Sequence, residues 1–168
     1  MRGSEMLSLV ERAEIFATKT HSGQLRKDGI TPYIEHPRAV VRLLMEAGVN
    51  NDDILASAWL HDVIEDCDVI IDEIKQEFNN EVARVVAALT RDCSREEYSE
   101  RIRKADLAVQ LVKIADMVHN CQSIIKEIPP ETIKRKIYDC KKLYFELSKK
   151  VSPYLYKKLE EATGPWMK

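Results

Sequence analysis

The sequence predicts an all-α protein. Apolar residues recur at spacings of three and four along most of the chain, while alternating β-branched runs bounded by turn residues are scarce. Cap-forming residues stand at the starts of several periodic stretches. The 168 residues suffice for one well-buried domain and are too few for two ordinary ones. Apolar residues make up 45% of the chain, with only 5 Gly and 6 Pro, which excludes disorder and collagen-like repeats. No stretch reads as a transmembrane span. A net charge of −2 is too balanced for wholesale binding of nucleic acid or an anionic membrane. The four cysteines, Cys67, Cys93, Cys121 and Cys140, form no C-x-x-C pair. They read as reduced thiols rather than a zinc ribbon, and no apolar targeting segment follows the N-terminus, so a cytoplasmic protein is expected. Met1-Arg2-Gly3-Ser4 resembles an expression-vector leader and is set aside.

The elements follow in order. A first helix spans about Ser4 to Thr20, with Leu7, Val10, Ala13, Ile15 and Ala17 towards one side, and stops before Ser22-Gly23. A loop from Gly23 to Pro37 carries Gly29, Pro32 and the restricting His36-Pro37 step. The second helix starts at Pro37 and ends at Gly48. The third starts after Asn51 as cap, has Asp52 and Asp53 at its positive end, and runs to Asp66. Short helices are expected at Ile71–Phe78 and Glu81–Leu89, then one opened by the capping box of Ser94 and Glu97. A long helix covers Leu107 to Ile125. After Pro129-Pro130, the stripe Ile133, Ile137, Cys140, Tyr144, Leu147 and Val151 marks another helix, and a last one follows Pro153.

On a helical wheel with His61 as origin, Glu65 falls at about 40°, Asp62 at about 100° and Asp66 at about 140°. An acidic arc alone is more often a solvated face. Here Ile54, Leu55, Ala58 and Trp59 occupy the same arc two turns earlier, and Leu60, Val63, Ile64 and Cys67 cover the other side. The acidic half is therefore expected at the edge of a core, where burying three carboxylates needs a compensating cation. Imidazole with carboxylates suits Mn, Fe, Zn or Mg. Asp116 interrupts an apolar run and should be buried, as a ligand or as the ion-pair partner of Lys113. Asn120 and Ser123 share its face, either exposed or offering neutral hydrogen bonds. His36 stands in the punctuated loop, where Arg26 and Lys27 either meet phosphates or a base, or form a solvated pair.

His36, His61-Asp62 and Asp116 match in order and spacing the H…HD…D signature of the HD-domain metal-dependent phosphohydrolases. The segments His21-Ser22-Gly23-Gln24-Leu25-Arg26-Lys27, Pro32-Tyr33-Ile34-Glu35-His36-Pro37, Leu60 to Asp66 and Val112 to Asn120 resemble the hydrolase domain of the RelA/SpoT group. The resemblance spans roughly residues 5 to 125. It implies a helical bundle that removes the 3′-pyrophosphate of guanosine tetra- or pentaphosphate, (p)ppGpp, with a divalent metal, typically Mn²⁺. On this likeness His36, His61, Asp62 and Asp116 hold the metal, and Glu65 and Asp66 position and deprotonate water. Arg26 and Lys27 contact the guanine end, and Asn120 the ribose. Asn79 stands where the family often has a glycine, a change expected to affect only a helix turn, and Gln122 where an arginine is common, a change that bears on the substrate contact and the choice of nucleotide. At 168 residues, a separate synthetase domain like that of larger RelA/SpoT proteins is not expected beside the hydrolase, and the chain resembles the small stand-alone hydrolases. Residues 5–168 are expected to form one domain, with helices at 130–165 completing it.

Two other readings stand beside the first: a phosphohydrolase of another nucleotide, such as a phosphorylated dinucleotide, and a non-catalytic nucleotide sensor. The Glu65-Asp66 pair speaks for catalysis. From Lys126 to Lys158 there are 10 basic residues against 4 acidic ones, read as a solvated outer face rather than a polyphosphate site. The expected partner is a small nucleotide, with neither nucleic acid nor membrane, and a homo-oligomer is left open.

Overall fold

The computed structural model describes residues 6–124 and 129–166. The expected leader at residues 1–4 and the expected helix end at Ile125 lie outside them. Helix α1 (Leu9–Thr20) begins later than Ser4, because Ser8 and Glu11 form a reciprocal capping box that fixes its start. Helix α2 (Glu35–Glu46) takes in His36 ahead of Pro37, which sits in its first turn where no intrahelical N–H is needed. It ends at Ala47, and Gly48 turns the chain away with φ +86°, a conformation that disfavours any Cβ.

The single long helix expected to reach Asp66 is two. Helix α3 (Asp52–Leu60), capped by Asn51, stops before His61, and a single turn, α4 (Val63–Asp66), resumes after Asp62. The cause is local. His61 Nδ1 lies 2.7 Å from the carbonyl of Ala58, which in an unbroken helix would accept from the Asp62 N–H.

Helices α5 (Ile71–Glu77) and α6 (Asn80–Leu89) follow, the latter capped by Asn79. Asn79 sits at φ −164°, extended backbone open to any residue, and its Oδ1 accepts from Val82 N at 2.8 Å. The departure from glycine therefore supplies a cap. Helix α7 (Arg95–Lys104) opens on the expected Ser94–Glu97 box. Helices α8 (Leu107–Gln122), α9 (Pro130–Val151) and α10 (Pro153–Thr163) complete the order, with Ser152 capping α10 and a short 3₁₀ turn at Gly164–Trp166. Among the described residues the only β pairing is one antiparallel bridge, Leu25 with Pro32.

Helices α3 and α8 form the centre: α3 packs against α1, α2 and α6, and α8 against α2, α6, α9 and α10. Helices α1 and α3 pack closely, and both bury small residues, Ala13 and Ala17 on α1 and Ala56 and Ala58 on α3. One contiguous apolar cluster runs from Ala13 through Leu44, Leu60 and Ile114 to Leu159. The α9 stripe is buried at Ile133, Ile137, Cys140 and Tyr144 as expected, then continues through Ser148, with Leu147 and Val151 only half-buried. Lys134, Arg135 and Lys142 face solvent, whereas Lys136 is half-buried. No helix among the described residues is long and apolar enough to cross a membrane.

Candidate metal centre and cavity

Packing of α2 on α3 and α8 brings together four side chains that are far apart in sequence. His36 comes from the first turn of α2, His61 and Asp62 from the α3–α4 break, and Asp116 from the middle of α8. His36, His61 and Asp116 are only 1%, 4% and 5% exposed. His36 Nε2 lies 3.2 Å from His61 Nε2, 3.4 Å from Asp62 Oδ2 and 3.1 Å from Asp116 Oδ1. His61 Nε2 lies 3.1 Å from Asp62 Oδ2 and 3.8 Å from Asp116 Oδ1. Donors held about 2.1 Å from one ion stand about 3.0 Å apart at a right angle and about 3.4 Å apart at the tetrahedral angle. The observed spacings, 3.1 to 3.8 Å, lie at or slightly beyond these values; His36, His61 and Asp62 form a group able to hold one divalent cation, with Asp116 set against its two histidines.

Electrostatics agree with the distances. Burial opposes charge on His61, yet Asp62 and Asp116 outweigh it and hold this imidazole protonated well above the ordinary histidine value. The site recruits positive charge. Burial dominates at His36 and lowers its pKa. Burial would raise both carboxyls, but His61 holds Asp62 ionised, and Lys113 with the two histidines does the same for Asp116. Asp116 makes the ion pair with Lys113, Oδ2 accepting from Nζ at 2.8 Å, while its Oδ1 faces the histidines.

The other expected site residues surround a cavity of about 600 Å³. Arg26, Lys27, Asp62, Glu65, Asp66, Asp116 and Asn120 all line it. Arg26 donates to Asn120 Oδ1 and Ser123 Oγ, each at 3.1 Å, so it is a tethered guanidinium rather than half of a solvated pair. Asn120 in turn donates to Asp116 Oδ1 at 2.5 Å. One expectation is corrected. Glu65 and Asp66 are exposed at the cavity mouth, not buried with Asp62, because the break after Leu60 ends the buried helix before them. The cavity wall still shields the Glu65 carboxyl enough to raise its pKa, against the backbone N–H of Arg91, which donates to it at 3.1 Å. Gln122 is exposed and lies off the cavity lining.

Several cavity residues were not anticipated. The Tyr33 hydroxyl bridges Asp62 Oδ2 at 2.7 Å and Asp66 Oδ2 at 2.5 Å, while its ring stacks on His21. Burial, reinforced by the two carboxylates, keeps this phenol protonated. His119 touches His36, and Lys113, Arg91, Arg95 and Lys136 add cations to the wall. His119 lies one turn beyond Asp116 on α8, but nothing in that spacing pairs it with His36; Tyr33 sits in a loop, where no periodicity points inward.

Comparison with known proteins agrees with this architecture. A family model described as the HD domain matches residues 13–151. The chain is 34% identical over 171 residues to the guanosine-3′,5′-bis(diphosphate) 3′-pyrophosphohydrolase MESH1 of Homo sapiens, covering 95% of this chain and 93% of that protein. A probable guanosine-3′,5′-bis(diphosphate) 3′-pyrophosphohydrolase of Synechocystis sp. is 32% identical over 161 residues, which are 89% of this chain but 21% of that longer protein. A solved structure, described as a metazoan ortholog of SpoT that hydrolyzes ppGpp, shares the fold at TM-score 0.85 and 23% identity, covering 97% of this chain and 98% of its own. With the metal-ligand signature, the helical order and a match over most of its length, the chain belongs to the HD-domain family.

Proposed function

We propose that the protein is a metal-dependent phosphohydrolase that removes the 3′-pyrophosphate from ppGpp or pppGpp, leaving GDP or GTP. The observation that carries this reading is the clustering of His36, His61 and Asp62, with Asp116 against the two histidines, beside a cavity lined by His36, Asp62 and Asp116 and by Arg26, Lys27, Lys113 and Lys136. The similarity to guanosine-3′,5′-bis(diphosphate) 3′-pyrophosphohydrolases supports the substrate. The nitrogen and carboxylate donors suit Mn²⁺, with no thiolate in the set to favour a softer ion.

When bound, the cation acts as a Lewis acid and lowers the pKa of coordinated water. The chain supplies the rest. Glu65, raised by shielding in the cavity, is a stronger base than a free carboxylate and takes the proton of the attacking water. Tyr33 ties Asp66 to Asp62, fixing the second carboxylate beside the ligands. Arg26 and Lys27 hold the guanine end, with Asn120 on the ribose. The cationic wall offsets the phosphate charge that would otherwise be repelled by the acidic floor. Residues 5–168 act as one hydrolase unit, because α9 and α10 share the same core as the helices that carry the ligands.

Incubating the purified chain with Mn²⁺ and ppGpp should release GDP and pyrophosphate, and a chelator should stop the release. Asp62→Ala should lose both the activity and the metal found by emission spectrometry. No pyrophosphate above a protein-free control would end this reading.

A further inference from the structure

Each metal-ligating histidine must present a bare Nε2 to the ion, which requires the ring proton on Nδ1. For His61 the fold enforces this. Its Nδ1 faces the Ala58 carbonyl at 2.7 Å, a group that can only accept. His36 has no carbonyl in that place. Its Nδ1 lies 2.6 Å from Nδ1 of His119, with the rings 4.9 Å apart and inclined at 33°.

Two nitrogens at that separation share one proton, and there are two ways to place it. With the proton on His36 Nδ1, His36 Nε2 is bare and faces Asp62, Asp116 and His61, and His119 carries its own proton on Nε2. With the proton on His119 Nδ1, neutral His36 carries a proton on Nε2, aimed into the donor cluster where it blocks coordination. We propose that His119 is a positioning residue: it accepts the Nδ1–H of His36 and thereby holds the His36 Nε2 lone pair on the metal. This rests on the four-residue metal site argued above. At 1% exposure His36 is closed to bulk water, which cannot readily replace that acceptor. Helix α8 thus contributes to the site twice within one turn, a ligand at Asp116 and a support for a ligand at His119.

The test is direct Mn²⁺ titration of the full chain by calorimetry, alongside melting of the metal-free proteins. His119→Phe keeps an aromatic ring and removes the acceptor. His119→Asn places an amide oxygen near the position of Nδ1, and His119→Ala removes the group without adding bulk. We expect the Kd for Mn²⁺ to rise roughly 10- to 100-fold in the Phe and Ala variants. It should return to within about 5-fold of the parent in His119→Asn, and the hydrolysis lost should shrink as Mn²⁺ is raised. A Phe or Ala variant binding Mn²⁺ like the parent would overturn the proposal, as would Asn performing no better than Ala. Should the parent itself bind no Mn²⁺, the metal site fails, and that result is distinct from a parent and variants that bind alike. If the Phe variant melts early, the comparison of Asn with Ala decides.

Discussion

At Glu65 the consequence of placement is kinetic. Its carboxyl is shielded enough to be a better base yet makes none of the close contacts of the donor cluster. Glu65→Gln should therefore retain metal while kcat falls roughly 10²- to 10⁴-fold, the usual span for a lost general base. Near-normal turnover would remove Glu65 from the mechanism. The four proposed ligands stood out in the sequence because each is a titratable residue in an apolar or punctuated setting, and the fold does bring them close together. Arg26, Lys27 and Asn120 were legible through resemblance. Tyr33 and His119 were not, because a phenol bridging two carboxylates and an imidazole backing another imidazole exist only once separate segments meet.

Helix boundaries were readable where a side chain caps locally, as at Asn51 and Ser94, and misread where a side chain competes with the backbone. The break at His61 belongs to the second kind: apolar periodicity continues through it, and nothing in the pattern reveals a ring taking the Ala58 carbonyl. The start of α1 lies at the Ser8–Glu11 box, later than its apolar periodicity alone indicates. Asn79 offers a test at this scale. It caps α6 through Val82 N and also donates to Asp53 Oδ1 at 2.8 Å, joining α6 to the first turn of α3. Asn79→Ala should cost about 1 kcal/mol of stability in a urea titration with the slope unchanged. A loss below about 0.3 kcal/mol would show that the cap contributes little.

For the whole molecule, a cation that binds the folded site and not the unfolded chain must raise stability, by about 2.7 kcal/mol at a free concentration 100 times its Kd. The effect has a definite pH sense. His61 is held protonated above the ordinary value, so in metal-free protein its stabilising contribution is full below about pH 6.5 and is lost as pH rises through its folded pKa. Metal competes with that proton. The gain in Tm on adding Mn²⁺ should accordingly be larger at about pH 8 than at about pH 6, measured against chelator in each buffer. An equal or smaller gain at the higher pH would contradict the assignment of His61 as a ligand. Residues 36, 61 and 62 meet where α2 packs on α3, and residue 116 joins them only when α8 has docked. On the proposed four-ligand site, the complete donor set would exist only once the bundle has assembled, and a fragment ending before α8 should hold the ion more weakly than the full chain however well its own helices form.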